Sequence, residues 1–196
     1  MFGMDIYKDA ADRLAQRGAI GVIPTDTVYG VVCRAADAAA VKRLYALKQR
    51  AAKPGTVMAA TIEQLEELGI KRRYLTAVQE FWPGAVSVVI PCGPELESLH
   101  QGKLSLAVRL PDLATLQALL TQTGALLTTS ANQSGEPVAE TMEQAQRYFG
   151  ESVDFYVDGG DVADRQPSTV IRVVDDAVEV LRPGAVDIND NQEINE

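Results

Sequence analysis

Several short stretches combine residue types that suit the handling of anions. In Ile23–Gly30 (IPTDTVYG), two threonine hydroxyls and one carboxylate stand between apolar segments, with Pro24 and Gly30 setting turns. Such groups either face a ligand or cap backbone amides in a strand-to-strand turn. Lys42, Arg43, Lys48, Arg50 and Lys53 fall in a window, Ala38 to Ile62, that holds no Asp or Glu. Arg offers a planar fork to phosphate oxygens and Lys a compact point charge, which together suit a triphosphate. At the end of a helix, Lys48 and Arg50 would also complement the helix dipole. Arg109 closes the apolar run SLAVR. A guanidinium there is costly to bury unpaired, so it reaches solvent or meets an anion, either a ligand carboxylate or a structural Asp or Glu. Thr128–Gly135 (TTSANQSG) is a run of hydroxyls and amides, the kind of strand-end loop where open α/β sheets bind ligands. Ser168 opens one late strand and Arg182 closes another.

Other chemistries are poorly supplied. Two cysteines, Cys33 and Cys92, lie far apart, and the one histidine, His100, sits in a polar stretch where exposure is expected. Cysteines so placed read as small buried or half-buried apolar residues of a reduced compartment. A His-based triad or a zinc site is therefore unsupported. Neither a GxGxxG nor a GxxxxGK[ST] pattern occurs. The net charge of -9 argues against coating nucleic acid through bulk charge. No apolar run is long enough to span a membrane, and the N-terminus has no basic-then-apolar secretory pattern.

The elements that must position these residues alternate between strand and helix. Apolar spacing predicts helices over Met4–Arg17, Ala38–Gln49, Ile62–Leu68, Arg72–Phe81, Leu113–Thr121 and Thr141–Phe149. Short apolar or β-branched runs predict strands over Ala19–Ile23, Thr27–Cys33, Thr56–Ala60, Ala85–Pro91, Leu104–Leu110, Ala125–Thr129 and Val153–Val157. Thr169–Val174 and Val178–Leu181 read as a hairpin turning at Asp175-Asp176. Helical crossovers beside a hairpin imply one α/β domain with a mixed sheet. The expected domain is 1–186, followed by an acidic tail over 187–196.

Six segments in order carry a resemblance: PTDTVYG, KQR, SLAVRLPD, TSAN followed by SG, PSTV and LRPG. Together, over roughly Ala10 to Val186, they resemble the YrdC family of threonylcarbamoyl-AMP synthases. The resemblance implies a twisted open mixed sheet with flanking helices and a concave positive groove. It implies synthesis of threonylcarbamoyl-AMP and pyrophosphate from L-threonine, bicarbonate and ATP. A downstream tRNA transferase complex would then use the product to make threonylcarbamoyladenosine, in the cytoplasm. By motif, Lys48, Arg50, Ser105, Ser130, Asn132, Val138 and Arg182 would contact ATP, with Lys48 and Arg50 on its phosphates. Thr27, Arg109, Thr128 and Ser168 would hold threonine, Arg109 through its carboxylate.

Adenylate chemistry needs positioning and charge neutralisation more than a protein nucleophile, which fits the scarcity of Cys and His. Mg²⁺ is expected with ATP, carried on phosphates and water, since no protein metal cage is evident. The run Ala51-Ala52-Lys53-Pro54-Gly55 and the apolar Ala59 depart from the family pattern, which bears on the threonine pocket. Two other readings share these residues. One is an RNA- or ribosome-binding module resting on Lys42–Lys53 and Lys71-Arg72-Arg73, opposed by seven acids against Arg147 alone between Glu140 and Asp164. The other is carbamoyl-adenylate chemistry of the kind used in hydrogenase maturation.

Overall fold

A computed structural model describes residues 6–49, 53–175 and 177–188. Its helices are α1 (Ala10–Ala15), α2 (Ala38–Leu47), α3 (Ile62–Glu67), α4 (Arg72–Thr76), α5 (Glu97–His100), α6 (Ala114–Thr123) and α7 (Met142–Phe149). Its strands are β1 (Gly21–Ile23), β2 (Gly30–Arg34), β3 (Thr56–Met58), β4 (Val86–Pro91) and β5 (Ser105–Arg109). They continue with β6 (Leu126–Ser130), β7 (Phe155–Tyr156), β8 (Thr169–Val174) and β9 (Ala177–Arg182). Among the described residues these strands form one open sheet in the order β7-β1-β2-β6-β3-β5-β4-β8-β9. It is mixed: β3 and β5 pair parallel, as do β4 and β8, while β2 with β6 and β8 with β9 are antiparallel.

Local sequence explains where helices begin. Asp37 accepts hydrogen bonds from the Ala39 and Ala40 amides and starts α2. The Asp37 carboxyl is held below its ordinary range, first by a bond from the Gly18 amide and then by these cap bonds. Thr61 and Thr141 cap α3 and α7 by accepting from the amides of Gln64 and Gln144. Each Gln reaches back to the amide before its cap, Ala60 and Glu140, so a Thr-x-x-Gln pattern closes both starts reciprocally.

The sheet is covered unequally, and period-two alternation shows how. On β5, Leu106 and Val108 join Val57, Val88, Ile90, Leu127 and Ile171 in a core beneath α2, α3, α4 and α7. On the other face, Ile23, Val32, Met58 and Leu126 meet Leu14 of α1 and Leu116, Leu119 and Leu120 of α6. That second cover reaches only one end of the sheet. The rest of the face carries Thr56, Val89, Ala107 and Thr128, and it stays open.

Several expected bounds shift. The strand expected from Thr27 starts at Gly30, because the Thr25 hydroxyl donates to the Val28 carbonyl and accepts the Thr27 amide in a local turn. The helix expected to run to Phe81 stops at Thr76, with only a 3-10 turn at Gln79–Phe81 before Pro83. The first residues of the helix expected over Met4–Arg17, and Asp176 of the hairpin turn, lie outside the described residues. So does the expected tail from 189 onward. Cys33 is buried and Cys92 half-buried, and burial pushes the Cys92 thiol up to about 11.

His100 is the main correction. It is 1% exposed rather than on the surface. Its ring closes the end of α5: Nδ1 accepts from the Gly102 amide (3.1 Å) and the Leu104 amide (3.3 Å), and Nε2 meets the Gly93 carbonyl (3.2 Å). Nε2–H is thus the donor and Nδ1 the acceptor. Polar neighbours in sequence suggested a solvated loop, but this loop folds around the imidazole and uses both nitrogens. His100→Ala is expected to strand those two amides and cost about 2 kcal/mol or more. A lower urea midpoint at unchanged slope would show it.

Candidate active site

The open half of the sheet is the floor of a cavity of about 400 Å³. β5 supplies Ser105, Ala107 and Arg109 at alternate positions. Register places Ala107 between Thr56 and Val89, and Thr56 beside Thr128. Further out, Val170 lies beside Ser87 and opposite Arg182. Thr27, Gly30, Ser130 and Ser168 complete much of the wall. Two glycines let backbone come close here. A Cβ on Gly30 would lie 2.5 Å from Thr128 Oγ1, and one on Gly55 would lie 2.5 Å from the Thr128 carbonyl.

The charge of the lining is one-sided. Lys103, Arg109 and Arg182 face the cavity, and none of the described residues lining it is acidic. The whole chain is at -9, so the cavity inverts the sign of its protein. Low-dielectric walls of one sign focus potential on an anionic ligand.

Arg109 sits at the deep end, with a side chain 4% exposed. Its Nη1 donates to both carboxylate oxygens of Asp26 at 2.7 Å. Of the two partners left open for this strand-end guanidinium, the structure supplies the structural carboxylate. Nη2 faces the Met58 sulfur at 3.2 Å, and Nε has no partner. The guanidinium therefore keeps donors beyond those Asp26 uses. Asp26 does not cap backbone amides of its own turn. It reaches across 83 residues to Arg109.

Lys48 is 5% exposed. Its ammonium donates to the Ser130 carbonyl (2.9 Å), to Asn132 Oδ1 (3.0 Å) and to the Asn132 carbonyl, and it lies 5.8 Å from the centre of the Phe149 ring. The Ser130 hydroxyl donates to Asn132 Oδ1 at 2.7 Å, and Asn132 Nδ2 donates to the Glu136 carbonyl at 2.7 Å. Lys48 and Asn132 thus form a knot behind Ser130 rather than part of the lining. Arg50 lies outside the described residues. Val138 is apart from the cavity, in a separate groove with Pro137, Glu140, Gln144, Arg147 and Tyr148. Thr27, Ser105, Arg109, Thr128, Ser130, Ser168 and Arg182 all line the one cavity.

Three contributors escaped sequence reading. Ser87 is fully buried and its hydroxyl meets that of Ser168 at 2.9 Å. Arg182 Nη2 donates to the Ser168 carbonyl at 2.6 Å, so Ser87 and Arg182 fix Ser168 from two sides. A lone serine inside the apolar run AVSVVIP was the available signal. Tyr29 ties the loop after β7 to the cavity wall: its hydroxyl donates to the Gly160 carbonyl and accepts the Gly159 amide. Burial pushes the Tyr29 phenol above its ordinary range, so it stays a neutral linker. Lys103, two residues before Ser105, is the third. Ala59, by contrast, is fully buried and its amide pairs with the Arg109 carbonyl.

Within the basic window Arg43 pairs with Asp154 at 2.6 Å and Lys48 is buried; in the second basic stretch Arg72 pairs with Glu63 and Glu66. Among the described residues, no group of three or more His, Cys, Asp or Glu gathers where a metal could sit. No described helix is long and apolar enough to cross a membrane.

Comparison with known proteins agrees with this architecture. The Sua5/YciO/YrdC family model, described as telomere recombination, matches residues 13–184. The chain is 34% identical over 182 residues to threonylcarbamoyl-AMP synthase of Bacillus subtilis (strain 168), covering 90% of this chain and 53% of that protein. It therefore spans about half the length of that relative. Against threonylcarbamoyl-AMP synthase of Stutzerimonas stutzeri (strain A1501) it is 34% identical over 175 residues, covering 87% of this chain and 94% of the relative. The crystal structure of P. abyssi Sua5 complexed with L-threonine superposes with a TM-score of 0.78 at 31% identity, covering 89% of this chain and 53% of that one. An open mixed sheet with one half-covered face, and a family match running through every wall of its cavity, lead to one statement: this chain belongs to the Sua5/YciO/YrdC family.

Proposed function

We propose that the chain is an L-threonylcarbamoyladenylate synthase, a nucleotidyltransferase. It joins L-threonine, bicarbonate and ATP into threonylcarbamoyl-AMP and pyrophosphate. The observation that carries this reading is the cavity: about 400 Å³, edged by cations, floored by hydroxyls and, among the described residues, lined by no carboxylate. Two relatives named threonylcarbamoyl-AMP synthase and a neighbour solved with L-threonine support it.

In this reading Arg109, which lines the cavity, takes the threonine carboxylate, a charge-assisted contact. Thr27, Thr128 and Ser168 surround the rest of the amino acid. The threonine amine and bicarbonate give a carbamate and water. A carbamate oxygen then attacks the α-phosphorus, and pyrophosphate leaves. Ser105, Ser130 and Arg182 face the nucleotide, Lys48 and Asn132 fix Ser130 from behind, Arg50 adds charge on the phosphates, and Val138, in its separate groove, has no part in this cavity. The lining offers hydroxyl oxygens and no carboxylate, a donor set that fits Mg²⁺ only as an ion carried on ATP and its waters. When bound, that ion supplies charge neutralisation on the phosphate oxygens. The product is an activated acyl donor for a tRNA-modifying transferase, which places the work in the cytoplasm beside ATP and tRNA. Direct RNA binding is the weaker reading, because Arg43 and Arg72 are paired with acids and Lys48 is buried.

The test is pyrophosphate release with ATP, bicarbonate and L-threonine. Release is expected to require threonine. Equal turnover with serine or with no amino acid would sink the assignment, and RNA binding without ATP binding would favour the module reading.

A further inference from the structure

We propose that Lys103 is a further substrate-binding residue, whose ammonium takes the terminal phosphates of ATP and the departing pyrophosphate at the mouth of the cavity. The inference rests on the synthase reading above and deepens it.

Three observations converge on this residue. First, Lys103 lines the cavity while exposed to solvent, and its side chain has no hydrogen bond or ion pair among the described residues. It is a cation held at an anion-seeking cavity with nothing to neutralise it.

Second, its backbone is built at a cost. Gln101, Gly102 and Leu104 all have positive φ (50°, 81° and 53°). Left-handed backbone is unfavourable for a leucine, and this Leu104 is also 54% exposed, so it gains little by burial. The buried His100 ring holds the turn by accepting the Gly102 and Leu104 amides, and the Lys103 amide donates to the His100 carbonyl at 3.0 Å. Strain maintained by a dedicated brace points to what the strained segment presents. Here that is Lys103.

Third, it lies at the end of β5 opposite Arg109. Thr56 pairs with Ala107 on β5 and Thr128 on β6. Two residues back along β5 is Ser105, and two forward along antiparallel β6 is Ser130. Lys103, two residues before the start of β5, lines the cavity at this end of the strand, away from Arg109. A ligand with its carboxylate on Arg109 extends its far anion toward this end.

The chemistry needs charge there. As the carbamate oxygen bonds to the α-phosphorus, the bond from that phosphorus to the α,β-bridging oxygen breaks. The electron pair leaves on pyrophosphate. A cation at the mouth stabilises that developing charge.

Calorimetric titration of the full chain and Lys103→Ala with ATP, pyrophosphate, AMP and L-threonine tests this, with Lys103→Arg as rescue. Loss of one charge-assisted phosphate contact is expected to weaken ATP and pyrophosphate about tenfold. AMP and threonine binding should be unchanged, and Lys103→Arg should recover most of the loss. Wild-type-like pyrophosphate binding by Lys103→Ala, or an equal loss of AMP, overturns the role of Lys103 alone. A wild-type chain that takes up neither ATP nor pyrophosphate overturns the synthase reading and this role with it.

Discussion

Asp26→Ala is expected to destabilise the chain by about 3–5 kcal/mol, because it leaves a buried guanidinium without its anion. For a chain of this length the melting temperature should fall by roughly 10 °C. Both partners are nearly enclosed, with side chains 4% and 9% exposed, so solvent screens the pair little. Asp26 also fixes Nη1 and so aims the remaining donors of Arg109. Threonine binding should weaken with the same substitution. The double change Asp26→Ala/Arg109→Met separates the two effects. Removing both charges should restore much of the stability, since buried ion pairs are often neutral relative to apolar replacements. It should not restore threonine binding or pyrophosphate release. Stability from urea melts and threonine affinity from calorimetry are the two readouts. A double variant that regains threonine affinity would show that Arg109 is structural only.

Lys48→Met should act on the nucleotide side and cost about 2 kcal/mol of stability, since its acceptors lose a buried donor. Methionine keeps most of the aliphatic stem beside Phe149 but removes the donor shared by Ser130 and Asn132. Three loop oxygens then lose their common partner, and the Ser130 hydroxyl loses its fixed acceptor geometry. A drop of about a hundredfold in kcat/KM for ATP is expected, comparable to losing one preorganised donor in other active sites. Lys48→Arg should not rescue it, because a planar fork cannot reproduce three converging bonds. Steady-state pyrophosphate release at varied ATP, with melting curves alongside, would report both quantities. Wild-type ATP kinetics in Lys48→Met would remove Lys48 from the site.

The element order was readable because Gly, Pro and cap residues punctuate the chain at nearly every boundary. The strand in SLAVR was legible as an apolar run closed by Arg109, and its alternation sets Ser105 and Arg109 on one face. The need of Arg109 for an anion was readable too, but not that the structural candidate would be Asp26, since that pairing joins β5 to the turn before β2 across the two strands, β6 and β3, that separate them. Lys48 looked like a free clamp because its acceptors lie more than 80 residues away. His100 looked exposed because hydropathy reports on side chains and not on two backbone amides that needed an acceptor. In each case the missing information was long-range or carried by the backbone. Local composition is silent about both.

The cavity floor has a consequence for which ligands it can tell apart. Its polar groups stand on neighbouring strands at alternate positions, so they occupy a lattice of about 4.8 Å between strands and ~6.6 Å along them. From Ser105 to Arg109 that is two lattice steps, ~13 Å. Hydrogen-bonded strands stretch very little, so the spacing behaves as a ruler. Candidates would be sorted by the separation of their negative ends before any side chain closes on them.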